Sequence, residues 1–161
     1  MKILALLFVA MLSSSCFSPV DETVYKPITS KPNIQQLAGK WKADSGSYVL
    51  IKKKKVYKID SLYLVLHEDS TFEVVNLPDC VADGLGNPVK GKLHNTSGSW
   101  EIENTRSNRK SWNVGLNFSH SELYKNGLRT EYALYMKDSK FVLICFVGDP
   151  DQGEQLLFVK E

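Results

Sequence analysis

The chain has 161 residues, 43% of them hydrophobic, with 20 lysines and arginines against 18 acidic residues. That suits one domain with its own core, and a charge balance this close to neutral argues against nucleic acid as the main partner. The three cysteines form no Cys-x-x-Cys pair and no His-Cys cluster, which argues against a zinc site.

The first element is residues 1–15. Lys2 precedes an apolar run from Ile3 to Leu12, and Ser13-Ser14-Ser15 leads into Cys16. A charged start, about ten apolar residues and a small-residue exit make a secretory signal peptide, since a membrane span needs about 20. Small residues running into a cysteine resemble a bacterial lipobox. The resemblance implies that Cys16 becomes the first residue of the mature protein, carries the lipid and anchors the chain to a membrane of a bacterial envelope. Doubly or triply acylated cysteine anchors stably, each buried CH₂ contributing about 0.8 kcal/mol. The plainer reading is an ordinary cysteine in a signal peptide cleaved elsewhere. Phe17 stands where inner-membrane lipoproteins of the best-known sorting pattern carry aspartate, which leans toward the outer membrane. Without residues 1–15 the chain keeps 146 residues, and the loss of Lys2 leaves 19 basic against 18 acidic groups.

Residues 16–32 are polar and hold Pro19, Pro27 and Pro32, the composition of a flexible tether. Residues 33–37 read as one helical turn capped by Asn33 and ended by Gly39, followed by Gly39-Lys40-Trp41. Apolar residues then recur with period two. Strands are expected at 47–51, 62–66 and 72–76, the last two joined by Glu68-Asp69-Ser70. Residues 77–96, with Pro78, Gly84, Gly86, Pro88 and Gly91, read as a long loop. Strands resume at 97–103, 111–118, 130–136, 141–147 and 155–159, with a polar turn at 104–110. About eight short strands without a long helix make an all-β antiparallel meander. Eight strands can close into a barrel just wide enough to be filled by side chains or to hold one small ligand.

Gly39-Lys40-Trp41 after a helical turn, the eight-strand meander and the ending Gly148-Asp149-Pro150-Asp151-Gln152-Gly153-Glu154 resemble the lipocalins and wider calycins, in the form of small bacterial lipocalin-like lipoproteins. The likeness covers roughly residues 33–161. It implies a lipocalin-like barrel with Gly39 and Trp41 as its structural motif, the tryptophan plugging the closed end. The chain departs from the family in lacking a Thr-Asp-Tyr motif and a last-strand arginine; Lys160 stands in that strand.

The aromatics Trp100, Trp112, Phe118, Tyr132 and Phe146 are core in a filled barrel and cavity lining in a hollow one. Cys80 and Cys145 are either a disulfide, which an oxidising compartment permits, or buried thiols. Lys52-Lys53-Lys54-Lys55 with Lys58 is a solvated loop or a contact for phosphates or an acidic partner. Asp149-Pro150-Asp151-Gln152-Gly153 starts like a calcium loop but lacks its distant glutamate, and fits a hairpin turn. His67, His94 and His120 stand at no metal or relay spacing. The expectation is a lipid-anchored envelope protein whose barrel binds a small apolar or amphipathic molecule, with the 77–96 loop at its mouth. The alternative is a filled barrel that contacts another envelope protein or inhibits an attacking enzyme. No cofactor, metal or catalysis is expected.

Overall fold

The computed structural model describes residues 20–83, 86–104 and 111–161. The leader, lipidation at Cys16 and residues 105–110 of the expected turn lie outside the described residues. The elements run β1 (Lys26–Pro27), α1 (Ile34–Leu37), β2 (Gly39–Ala43), α2 (Ser45–Lys53), β3 (Tyr63–Leu66), β4 (Thr71–Pro78), β5 (Leu93–Asn104), β6 (Trp112–Phe118), β7 (Leu128–Lys137), β8 (Lys140–Phe146) and β9 (Gln155–Lys160). Each strand from β2 to β9 pairs antiparallel with the next, and β9 returns to β2 through Trp41↔Lys160 and Ala43↔Phe158. The sheet is therefore a closed eight-stranded meander barrel, compatible with a lipocalin-like fold.

One end of the barrel is sealed by α1. The Asn33 side chain accepts from the Gln36 amide at 2.8 Å, and Gln36 Oε1 accepts from the Asn33 amide at 2.8 Å. This reciprocal capping box starts the turn where the sequence places it. Gly39 then takes φ +124°, a backbone angle that side-chain-bearing residues rarely adopt, and turns the chain into β2.

The strand expected at 47–51 is helix instead. The Asp44 carboxylate caps it, accepting from the Ser47 amide at 2.8 Å, and the helix buries Ser47 and Ile51, four residues apart. The apolar run Val49-Leu50-Ile51, β-branched at Val49 and Ile51, reads as a strand locally, but a tertiary contact overrides it: Ser47 Oγ receives the Leu157 amide of β9 at 2.7 Å. The strand thus displaced is β2, which carries Trp41. The loop expected over 77–96 is also shorter. β4 runs to Pro78, a 3₁₀ turn spans Asp79–Ala82, and β5 begins at Leu93. A bulge between Val74 and Leu77, with Asn76 at φ 61°, breaks the alternation there and hides the strand from a period-two reading.

One apolar cluster fills the barrel, with side chains from every strand of the meander. A second cluster lies on its outer wall: Val142, Ile144 and Leu157 of β8 and β9 are covered by Val20, with Tyr25, Tyr135 and Phe146 around them. The expected free tether is therefore a strap from Val20 onward. Its Tyr25 ring packs edge-on to Tyr135 at 6.4 Å, and β1 pairs with Tyr135 and Met136 of β7. This strap explains why β8 is apolar on both faces. All strands, the seal and the strap lie in residues 20–161, so the chain from Val20 onward carries its complete described core.

Candidate functional site

The end opposite α1 is covered by loops, and one buried carboxylate organises it. Asp79 is 2% exposed and sits at the start of the 3₁₀ turn after β4. The Tyr57 hydroxyl donates to its Oδ1 at 2.5 Å. The backbone amides of Lys90 and Lys92 donate to Oδ2 at 2.7 and 3.2 Å, and that of Val89 to Oδ1 at 3.3 Å. One carboxylate thus pins the 89–92 loop over the barrel mouth. Burial alone would raise its pKa, but the Tyr57 hydroxyl and the three amides outweigh it and hold the carboxyl below its ordinary value. The Cys80 amide completes the arrangement by donating to the Tyr57 oxygen at 3.0 Å.

Beneath this lid lie Tyr124, Tyr132 and both thiols. Cys80 and Cys145 are free and buried. Burial pushes the Cys145 thiol up to about 12 and raises that of Cys80 as well. Both stay protonated at neutral pH, which suits neither a nucleophile nor a metal ligand. The phenols of Tyr57 and Tyr124 are also raised, mainly by burial. The chemistry offered here is hydrogen bonding in an apolar surround.

The expected lining residues separate. Trp100, Phe118 and Tyr132 are buried in the interior. The Trp100 ring nitrogen donates to the His67 carbonyl at 2.9 Å, and Phe118 stands edge-on to Phe72 at 5.0 Å. Tyr132 stacks on Phe158 at 6.0 Å between ring centres. Trp112 is half-buried at the α1 end, where the Lys31 ammonium lies 5.7 Å from its ring centre. Phe146 belongs to the outer wall, not the interior, because Cys145 and Val147 point inward on either side of it. Trp41 is wholly buried and donates its ring N–H to the Leu37 carbonyl at 2.9 Å. An open groove of about 690 Å³ outside the α1 end runs between Lys31–Gln35 and the Trp100–Ile102 segment.

The three histidines fall in the β3–β4 hairpin, in β5 and after β6. Among the described residues no three His, Cys, Asp or Glu side chains are placed to share a metal ion. A 3₁₀ turn at Pro150–Gln152, capped by Asp149 and closed by Gly153 at φ 68°, joins β8 to β9, the hairpin reading of that stretch. Sequence reasoning missed Asp79 and Tyr57. The available signal was an acid inside the apolar stretch Leu77-Pro78-Asp79-Cys80-Val81. Comparison with protein-family models, with curated proteins and with solved structures finds no match to this chain.

Proposed function

We propose that this chain is a lipid-anchored protein of a bacterial envelope, most simply of the outer membrane, whose barrel is a filled scaffold acting through its surface on another envelope molecule. The observation that carries this is the packing of the interior. Leu64, Leu66, Phe72, Leu116, Tyr132 and Phe158 come from five different strands and are each 0–1% exposed. A ligand pocket needs a few hundred Å³ of free volume against such side chains. The anchoring rests on Lys2, the apolar run and Ser13-Ser14-Ser15-Cys16. The reading assigns no catalytic step to Cys80 and Cys145, whose thiols burial raises.

The second reading is a binder of a small apolar or amphipathic molecule. It is favoured by a gradient along the barrel: at the loop end Tyr57, Ile59, Tyr124 and Cys145 are each 7–8% exposed. A ligand would enter there, by displacing the loop that Asp79 holds, and would meet phenol hydroxyls for orientation.

One experiment separates the two. The chain from Phe17 onward is exported behind a leader without a lipobox, purified from a bacterial envelope and weighed under native conditions. The filled-barrel reading expects the bare mass and no saturable uptake of palmitate. A reproducible extra mass that disappears on denaturation overturns it in favour of the second reading. The anchor is tested separately: Cys16→Ser in the full chain must abolish lipid labelling of the protein, and labelling that persists refutes it.

A further inference from the structure

We infer that α2 and the 89–92 loop form a face that docks on an anionic phospholipid surface. The inference rests on the proposed anchor at Cys16 for its orientation, and on the structure for its chemistry. Val49, Lys52 and Lys53 share one exposed helical face, three and four residues apart. The chain then turns at Lys55, whose φ is 59°, and lays Val56 against Gly91. That contact brings Val89 and Lys90 to the same end. Val49, Val56 and Val89 are 56%, 50% and 59% exposed, and they are three of the five large exposed hydrophobics among the described residues.

The basic groups around these valines are not neutralised evenly. Lys54 is turned to Glu154 at 2.6 Å and Lys92 to Glu122 at 3.0 Å. Lys52, Lys53 and Lys55 are exposed, and none makes an ion pair among the described residues. Small apolar side chains interleaved with lysines match an interface of acyl chains and phosphates better than an acidic protein, which would need only the charges.

The strap begins on this side. Tyr25 of the strap and Gly46, Leu50 and Lys53 of α2 line one groove of about 510 Å³. Val20 is buried against Leu157 beside it. Val20 is four positions on from Cys16, an extended reach of about 14 Å at most. A lipid inserted at Cys16 therefore holds the barrel wall near the bilayer. Lysines attract anionic lipid only within a Debye length, about 8 Å at physiological salt.

The test uses the unlipidated chain from Phe17 onward, so that it reads the face and not the anchor. Co-sedimentation with vesicles of phosphatidylglycerol is compared with vesicles of phosphatidylcholine. Each lysine near the surface is worth about fivefold in partitioning, so the combined Lys52→Gln, Lys53→Gln and Lys55→Gln variant is expected to bind anionic vesicles about 100-fold more weakly. A charge-matched control at other positions, Lys31→Gln, Lys40→Gln and Lys140→Gln, is expected to bind as the parent does. Equal binding to both vesicle types, or equal losses in the two triple variants, overturns the inference. A thermal scan of each variant excludes misfolding as the cause. Loss of the face with lipid labelling of Cys16 intact, or the reverse, tells the two proposals apart.

Discussion

Trp41 and Lys160, paired across β2 and β9, both donate to the last carbonyls of α1. The Trp41 ring nitrogen meets the Leu37 carbonyl at 2.9 Å, and the Lys160 ammonium meets the Gln36 carbonyl at 2.5 Å. The end of a single helical turn leaves carbonyls without helical partners, and here two side chains of the barrel satisfy them. The seal is thereby joined to the strands it closes.

Trp41→Ala removes both the ring and the hydrogen bond. It is expected to destabilise the fold by about 3–5 kcal/mol, the range for truncating a buried large aromatic. Trp41→Phe keeps most of the volume but leaves the Leu37 carbonyl unpaired, at a cost of about 1–3 kcal/mol. Urea titration followed by circular dichroism measures both. A change under about 0.5 kcal/mol for the alanine variant, the size of a surface effect, would show that the ring is not seated as described.

The part of this site that sequence reveals is the part encoded by adjacent residues. Asn33, Gly39 and Trp41 announce themselves because a helix cap, a glycine that ends the turn and a tryptophan stand within nine residues of one another. What sequence hides depends on partners far away. Residues 47–51 look like a strand until Ser47 is seen to bond Leu157, 110 positions on. Phe146 looks like a lining residue until Val20 and Tyr25 are seen to cover the outer wall. A strand covered on both faces has no alternation to read, so its inward side is fixed only by its neighbours. The count of strands comes out right although one strand is misplaced, since helical α2 takes the place of a strand where β2 was passed over.

Ser47 makes the junction of α2 with the barrel measurable. Its hydroxyl receives the Leu157 amide at 2.7 Å and lies 2.8 Å from the Asp44 carboxylate. Ser47→Ala orphans a buried amide and is expected to cost about 1–3 kcal/mol. Asp44→Ala removes the helix cap and is expected to cost about 1 kcal/mol. The two share one network, so the double variant should cost measurably less than the sum. Additive losses in chemical denaturation would show that the groups act independently.

Cys80 and Cys145 are expected to resist a thiol reagent in the folded protein. Burial raises both thiols, and Cys145 reaches about 12. A raised thiol offers less thiolate to react, and access is closed as well. Intact-mass analysis of the chain from Phe17 onward after iodoacetamide should show no adduct on the native chain and two on the unfolded chain, without any reductant. Unfolded protein that takes up label only after reduction would reveal a disulfide instead.

Acid should release the loop end before the rest of the barrel. The Asp79 carboxyl is held below its ordinary value once the Tyr57 hydroxyl and the three loop amides outweigh burial. A depressed carboxylate stabilises the fold fully above its unfolded pKa, about 3.9 for aspartate, and the contribution fades as pH falls through the lower folded value. Hydrogen exchange should therefore show the amides of Val89, Lys90 and Lys92 losing protection below about pH 4, while those of β6 and β7 keep theirs. Asp79→Asn substitutes a neutral amide for the charged acceptor, and it turns an amide donor toward amide donors in at least one orientation. The variant should show the loosened loop already at pH 7, with no further step on acidification. If wild type and variant exchange alike at pH 7, the carboxylate does not hold the loop, and the acid response must come from another group.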